Sequence, residues 1–216
     1  MTTAARAQRR TRHDLRGQLL ESALHEFAAK GFDGASTRAI AQRVDAHQPQ
    51  INYHFESKEA LWAAAVDHLF GELADALAPI PTPGDDVDAL AANFASSIRR
   101  FVRFAARRPE LNRIIVHEAT AGSERMQWMV DRHVRPLYDG TIEIWTQLVD
   151  ADVAAPIDPA TIHYVLVGAA SLPFVNAREL RMLSDVEPTD AQFVEAHADG
   201  IVAMLLPGLA PRTTTS

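Results

Sequence analysis

The chain has no cysteine among its 216 residues. That single absence excludes a disulfide scaffold, thiolate metal sites, a cysteine nucleophile and thiol redox sensing. No apolar run reaches the roughly 18 residues that a helical membrane span needs. The arginine-rich start leads into no apolar stretch, unlike a secretory signal. A cytoplasmic location with no membrane partner is the expectation. Catalytic signatures are missing too: there is no G-x-S-x-G, G-x-x-x-x-G-K-[ST], G-x-G-x-x-G or H-E-x-x-H. No E-x-x-H pair occurs, which argues against a di-iron helical bundle. We therefore expect no enzyme, no cofactor and no metal. With 47% hydrophobic residues, the chain can bury a sizeable core.

The net charge of −7 conceals an uneven distribution. Residues 1–58 carry nine Arg and Lys against six Asp and Glu, whereas the remainder carries twelve against twenty-two. Arg6, Arg9, Arg10 and Arg12 precede the first acid, Asp14. A basic head on an acidic body fits a nucleic-acid module joined to another domain, and equally a solvated basic tail. Charge alone does not separate them.

Hydrophobic spacing is helical throughout. Leu19, Leu20, Ala23, Leu24, Phe27 and Ala28 form an apolar stripe that Lys30 and Gly31 should end. Ser36 can cap a helix over Thr37–Val44, Asp45–His47 makes a tight turn, and a short helix covers about Gln48–His54. Ser57 can cap the next, Lys58 to about Ala78. Pro79–Gly84 is a clear break. Further helices are predicted from Val87 to before Pro109, over Pro109–Ala121, over Ser123–Asp150 with a kink at Pro136, over Pro159–Leu183 bent by Pro173, and over Pro188–Leu206. The expectation is an all-α protein of about nine helices. It divides into residues 1–58, an N-terminal arm with three helices; 59–209, a helical body; and 210–216, a frayed tail.

The first three helices, packed around Phe27, Phe32, Ile40, Val44, Ile51 and Phe55, describe a helix-turn-helix. An α-helix fits the major groove and can read base edges when a preceding helix braces it. The third helix offers Gln48, Gln50, Asn52, Tyr53 and His54 outward, where an ordinary surface helix carries Lys or Glu. Ile51 and Phe55, four apart, point inward.

The stretches Phe27-Ala28-Ala29-Lys30-Gly31-Phe32, Ser36-Thr37, Ile40-Ala41 and Tyr53-His54-Phe55-Glu56-Ser57-Lys58-Glu59-Ala60-Leu61 resemble the DNA-binding domain of the TetR family of transcriptional regulators, over about residues 13–61. The resemblance implies phosphate contacts from Thr37, His54 and Lys58. It implies base contacts from Gln48, Gln50 and Asn52, and packing of Pro49 and Tyr53 on sugar or thymine methyl. The plainer readings are that Tyr53 and His54 cover the small core and that Lys58 only starts a helix. The chain departs from the family with Asp45 in place of a usual Gly, His47 in place of a small cap, and Asn52 in place of a usual Tyr. Asp tolerates a left-handed turn, so these changes bear on the operator sequence rather than on the role.

The resemblance further implies a body that dimerises through its last long helices and encloses a small-molecule effector pocket. Polar or aromatic residues among apolar neighbours are the pocket candidates: Phe101, Phe104, His117, Trp128, Met129, His133 and Asn176. The expected function is a homodimeric repressor that leaves a pseudo-palindromic double-stranded operator when a largely apolar ligand binds. The alternative is a helical protein-interaction module of the same shape without specific DNA binding.

Overall fold

A computed structural model describes residues 3–79 and 86–209, with side chains from Leu15 to Pro79 and from Asp86 to Gly208. The tail expected at 210–216, most of the break at Pro79–Gly84 and the side chains of Arg6, Arg9, Arg10 and Arg12 lie outside the described residues. Those residues form helices and no strand: α1 (Thr3–Gly34), α2 (Thr37–Arg43), α3 (Gln48–His54), α4 (Lys58–Leu77), α5 (Val87–Arg107), α6 (Glu110–Ala121), α7 (Glu124–Met129), α8 (Arg135–Asp150), α9 (Pro159–Val175), α10 (Ala177–Leu183) and α11 (Ala191–Leu205). The nine expected stretches are present, and prolines divide two of them.

Both divisions have a physical cause. Pro136 has no N–H, so the carbonyl of Arg132 loses its helical partner. Just before it, Val130–Val134 widen into a π-helical turn in which the N–H of Arg135 reaches back to Val130 O. Pro173 likewise leaves the carbonyl of Ala169 without its i+4 donor. His197 on α11 fills that gap, with Nε2 2.8 Å from Ala169 O. Beyond Pro173 the helix breaks at Asn176, and α10 leaves α9 at a 74° bend. No single helix among the described residues is long and apolar enough to cross a membrane.

The chain folds as two compact units. The first holds the residues up to Glu72 together with Arg113–Met126, and the second holds Leu73–Asn112 together with residues from Gln127 on. Leu90, Phe94, Ile98 and Val102 of α5 form the second unit's core with Ile144, Trp145 and Leu148 of α8, Ile162, Leu166 and Phe174 of α9, and Val194, Ile201 and Val202 of α11. Full burial of each large side chain contributes about 1.5–3 kcal/mol. Arg99 pairs with Asp199 at 2.7 Å, and Arg103 grips Glu195 with two nitrogens, tying α5 to α11.

Candidate nucleic-acid interface

The first unit builds its core as the periodicity predicts. Leu19, Leu20, Ala23, Leu24, Phe27 and Ala28 are all buried along α1, and Ile40, Ile51 and Phe55 meet them from α2, α3 and the residue after α3. The Phe27 and Phe32 rings stack 5.9 Å apart. The turn that permits this is Gly31, at φ 67° and ψ 178°, a conformation essentially confined to glycine. A Cβ there would also lie 3.3 Å from His117 Nδ1. The segment 113–126 adds a clamp: the Arg125 guanidinium lies 3.7 Å from the centre of the Phe32 ring and donates to the buried Glu118 at 3.0 Å.

A polar network fixes α2 against α1. Glu26 is 1% exposed, yet carries a carboxylate. Lys30 Nζ donates to it at 2.7 Å, Arg43 Nη2 at 3.1 Å and the backbone N–H of Ser36 at 3.4 Å. Burial pushes the Glu26 carboxyl up, but the hydrogen bonds from Lys30, Arg43 and Ser36 outweigh it and hold it below its ordinary value. Ser22 joins in, donating to Ile40 O at 2.8 Å while Arg43 Nη1 donates to its backbone carbonyl at 3.0 Å. Sequence reading missed this network. The available signal was that Ser22 and Glu26 occupy positions on the apolar stripe itself.

The turn between α2 and α3 has the shape the sequence requires. Asp45 sits at φ 53°, the left-handed conformation expected where the family usually has glycine. Ala46 is buried, and its N–H returns to Ala41 O at 3.0 Å. His47 supplies no side-chain hydrogen bond of its own as the cap of α3. Instead Gln50 reaches back, and its Oε1 accepts from the His47 N–H at 2.8 Å. The weak cap is thus offset by the side chain three residues on.

Ile51 is buried while Gln48, Pro49, Asn52 and Tyr53 are exposed, Tyr53 by 61%. Gln48 and Asn52, four apart, share one line of α3, and Pro49 and Tyr53 the next. Gln48 Nε2 donates to Thr37 Oγ1 at 3.4 Å, which brings the N-termini of α2 and α3 side by side. Gln50 is half-buried with its carbonyl engaged at the cap, leaving its NH₂ as the end that can meet a base. His54 is half-buried and packs edge-on to Tyr53. Lys58 sits 4.7 Å from the centre of the Phe32 ring and donates to Asp33 O at 3.4 Å. An ammonium has three donors, so that bond does not exhaust it. Arg16, which sequence reading passed over, extends from α1 over the Phe55 ring at 5.2 Å.

Six of the seven pocket candidates lie in the second unit and His117 in the first. Phe101 and Phe104 line one cavity of about 10 Å³ in the second unit, with Arg108, Leu111, Asn112 and Ser171. Trp128 and His133 pack edge to face at 5.5 Å across the π-helical turn. Met129 is fully buried. Asn176 is exposed at the break between α9 and α10 and donates to Glu179 at 3.2 Å. His117 belongs to the first unit, where it packs on Gly31.

Comparison with known proteins agrees with this geometry. The family described as "Bacterial regulatory proteins, tetR family" matches residues 19–65, and that described as "YcdC-like protein, C-terminal region" matches residues 67–212. The chain belongs to the TetR family of bacterial transcriptional regulators. Among its relatives is the HTH-type transcriptional regulator RutR of Escherichia coli K12, 24% identical over 194 residues and matched over 90% of each chain. Another is the HTH-type transcriptional repressor NicS of Pseudomonas putida, 23% identical over 203 residues and 91% of each. In fold it is similar to AibR, solved with isovaleryl coenzyme A and operator DNA, at a TM-score of 0.68 and 19% identity over 89% of this chain and 98% of that one.

In a TetR-family regulator the helix-turn-helix is the DNA-binding element, so α2 and α3 carry that function here. This is a family of transcriptional regulators, not of enzymes.

Proposed function

We propose that the chain is a homodimeric transcriptional repressor in the cytoplasm that binds a pseudo-palindromic operator and is released by a small, largely apolar ligand. The observation that carries the DNA-reading part is α3, whose amide and aromatic side chains face outward while Ile51 anchors it inward. One such helix reads too few base pairs for useful specificity, and two related by symmetry double the site. In this reading Gln48, Gln50 and Asn52 meet base edges, and Pro49 and Tyr53 pack on sugar or methyl groups. Thr37, His54 and Lys58 hold phosphates.

Support for a dimer comes from α9, α10 and α11 of the second unit. Tyr164, Leu172, Met182, Leu183 and Met204 are all more than half exposed, and Gly168 and Gly200 have open space where a side chain would stand. Large apolar groups left in water beside small residues suit a helix-to-helix interface. The candidate effector site is the cavity at Phe101, Phe104 and Ser171, which has room for about one water as it stands. A ligand must therefore open it. Because α4 carries residues of both units in one uninterrupted helix, such an opening has a covalent route to the head.

Sedimentation at micromolar concentration together with a gel shift on the DNA upstream of its own gene tests the first part. A monomer, or equal affinity for random duplex, refutes it. Calorimetry tests the second, because coupling is reciprocal: a ligand that weakens operator binding about 5- to 150-fold must itself bind that much more weakly to the operator complex. A ligand bound equally tightly with and without operator is no inducer.

A further inference from the structure

α1 and α4 bring three metal-ligating side chains to one point on the first unit. The ligand atoms of Glu21 on α1 and of His68 and Glu72, one turn apart on α4, all lie within 4.8 Å of one another. His68 Nε2 is 3.0 Å from Glu21 Oε1 and 3.5 Å from Glu72 Oε1. A single ring nitrogen thus faces two carboxylates. As N–H it has one proton for two anionic acceptors, and as bare nitrogen it turns a lone pair toward both. A dication placed where the three converge can take a lone pair from each of the three ligand atoms. The 3.0 and 3.5 Å separations from His68 Nε2 suit one: donors held at about 2.0–2.2 Å stand about 3.3–3.6 Å apart around a tetrahedral ion and about 3.0 Å apart around an octahedral one.

We propose that Glu21, His68 and Glu72 form a binding site for a divalent transition ion of the zinc class, which staples α1 to α4. The donor set selects the class. An imidazole nitrogen argues against magnesium and calcium, which take oxygen, and the absence of thiolates argues against copper(I). Three protein ligands leave a position for water. Access is open, since all three side chains are part-exposed and Glu21 also lines a groove of about 460 Å³ with Gln18, His25 and Arg43. The site uses none of the residues on α2 or α3, and it spans two helices distant in sequence, so an ion bound there stabilises the folded head over the unfolded chain.

The test uses the full, tag-free chain stripped with EDTA and titrated with Zn²⁺ by calorimetry and with Co²⁺ by visible absorption. The expected result is one tight equivalent per chain and an unfolding midpoint several degrees higher in saturating Zn²⁺ than in EDTA. His68→Gln should abolish both effects, and Glu21→Gln should weaken Zn²⁺ binding at least about tenfold. Both substitutions keep size and hydrogen-bonding capacity at part-exposed positions. The midpoint in EDTA verifies folding, and Glu21→Gln reads the site alone should His68→Gln not fold. No saturable binding to the wild-type chain, or a stoichiometric cobalt band that persists in either folded variant at wild-type affinity, overturns the proposal. None of these readouts involves DNA, so the site stands or falls independently of operator binding.

Discussion

Replacing Glu26 with Gln removes the charge at the centre of the head while keeping its shape. The carboxylate has two acceptor oxygens, and Lys30 and Arg43 donate to one each. An amide keeps one oxygen and turns an NH₂ toward one of those cations, so a charge-assisted hydrogen bond becomes a donor facing a donor. Hydrogen bonds to charged groups are worth about 1.5–3 kcal/mol each. The cations recover part of this from water, because the Lys30 side chain is 52% and that of Arg43 44% exposed. The net cost should be about 2–3 kcal/mol, which lowers the unfolding midpoint by roughly 5–10 °C. The pH dependence gives a second handle. The folded-state carboxyl is held below its ordinary 4.5, so its contribution is complete above that pH and is lost as pH falls through the lowered folded value. The amide does not titrate, and the gap between wild type and Glu26→Gln must close on acidification. Urea unfolding at pH 7 and at acid steps below 4.5 measures both. A penalty under about 0.5 kcal/mol at pH 7, or one unchanged across the acid range, refutes the assignment of Glu26 as an ionised anchor.

Gly31→Ala should destabilise the head by about 1–3 kcal/mol, read by urea unfolding. Adding His117→Ala should recover only the steric part, because the positive φ remains; full recovery would show that φ costs nothing there. Asn52→Ala should lose about 1–3 kcal/mol on the operator and little on random DNA, whereas Lys58→Ala should weaken both alike, by titration against each duplex. Equal losses from Asn52→Ala would assign that side chain to the backbone. With Lys58 and the N-terminal arginines giving two to four cations per head, log affinity of a dimer should fall against log salt with a slope of about −4 to −7. Indifference to salt would remove the phosphate contacts from the account.

The head was legible because its signals are local. The stripe from Leu19 to Ala28, the caps at Ser36 and Ser57 and the left-handed turn at Asp45 each rest on residues within one or two helical turns. Ser36 Oγ does accept from Ala39, and Ser57 Oγ from Ala60. What escaped was the chemistry between helices. Glu26 reads as a solvated acid until Arg43, seventeen positions away, is known to lie beside it. The same holds for His117, which spacing places among pocket candidates but which packs on Gly31. For the residues on α3 the sequence showed which side faces out, by the inward pair Ile51 and Phe55. It could not show that Gln50 would spend its carbonyl on the cap of its own helix.

In the second unit the prolines announced where helices would yield, but not how. Pro173 frees the carbonyl of Ala169, and a part-buried carbonyl still needs a donor. That donor, His197, comes from α11 and is fixed by packing that no local pattern encodes. Of the pocket candidates, Phe101 and Phe104 line one cavity, a pairing that the sequence pattern did not single out. Choosing aromatic and polar residues among apolar neighbours also selects whatever fills space, and Phe104 and Met129 are buried as ordinary core. The small cavity at Phe101, Phe104 and Ser171 is informative because its polar lining, Arg108, Asn112 and Ser171, sits where plain core would be apolar throughout. If this cavity takes the proposed effector, a molecule with an apolar body and one polar end matches its lining better than a wholly apolar one, and the cost of parting α5 from α9 comes out of its binding energy.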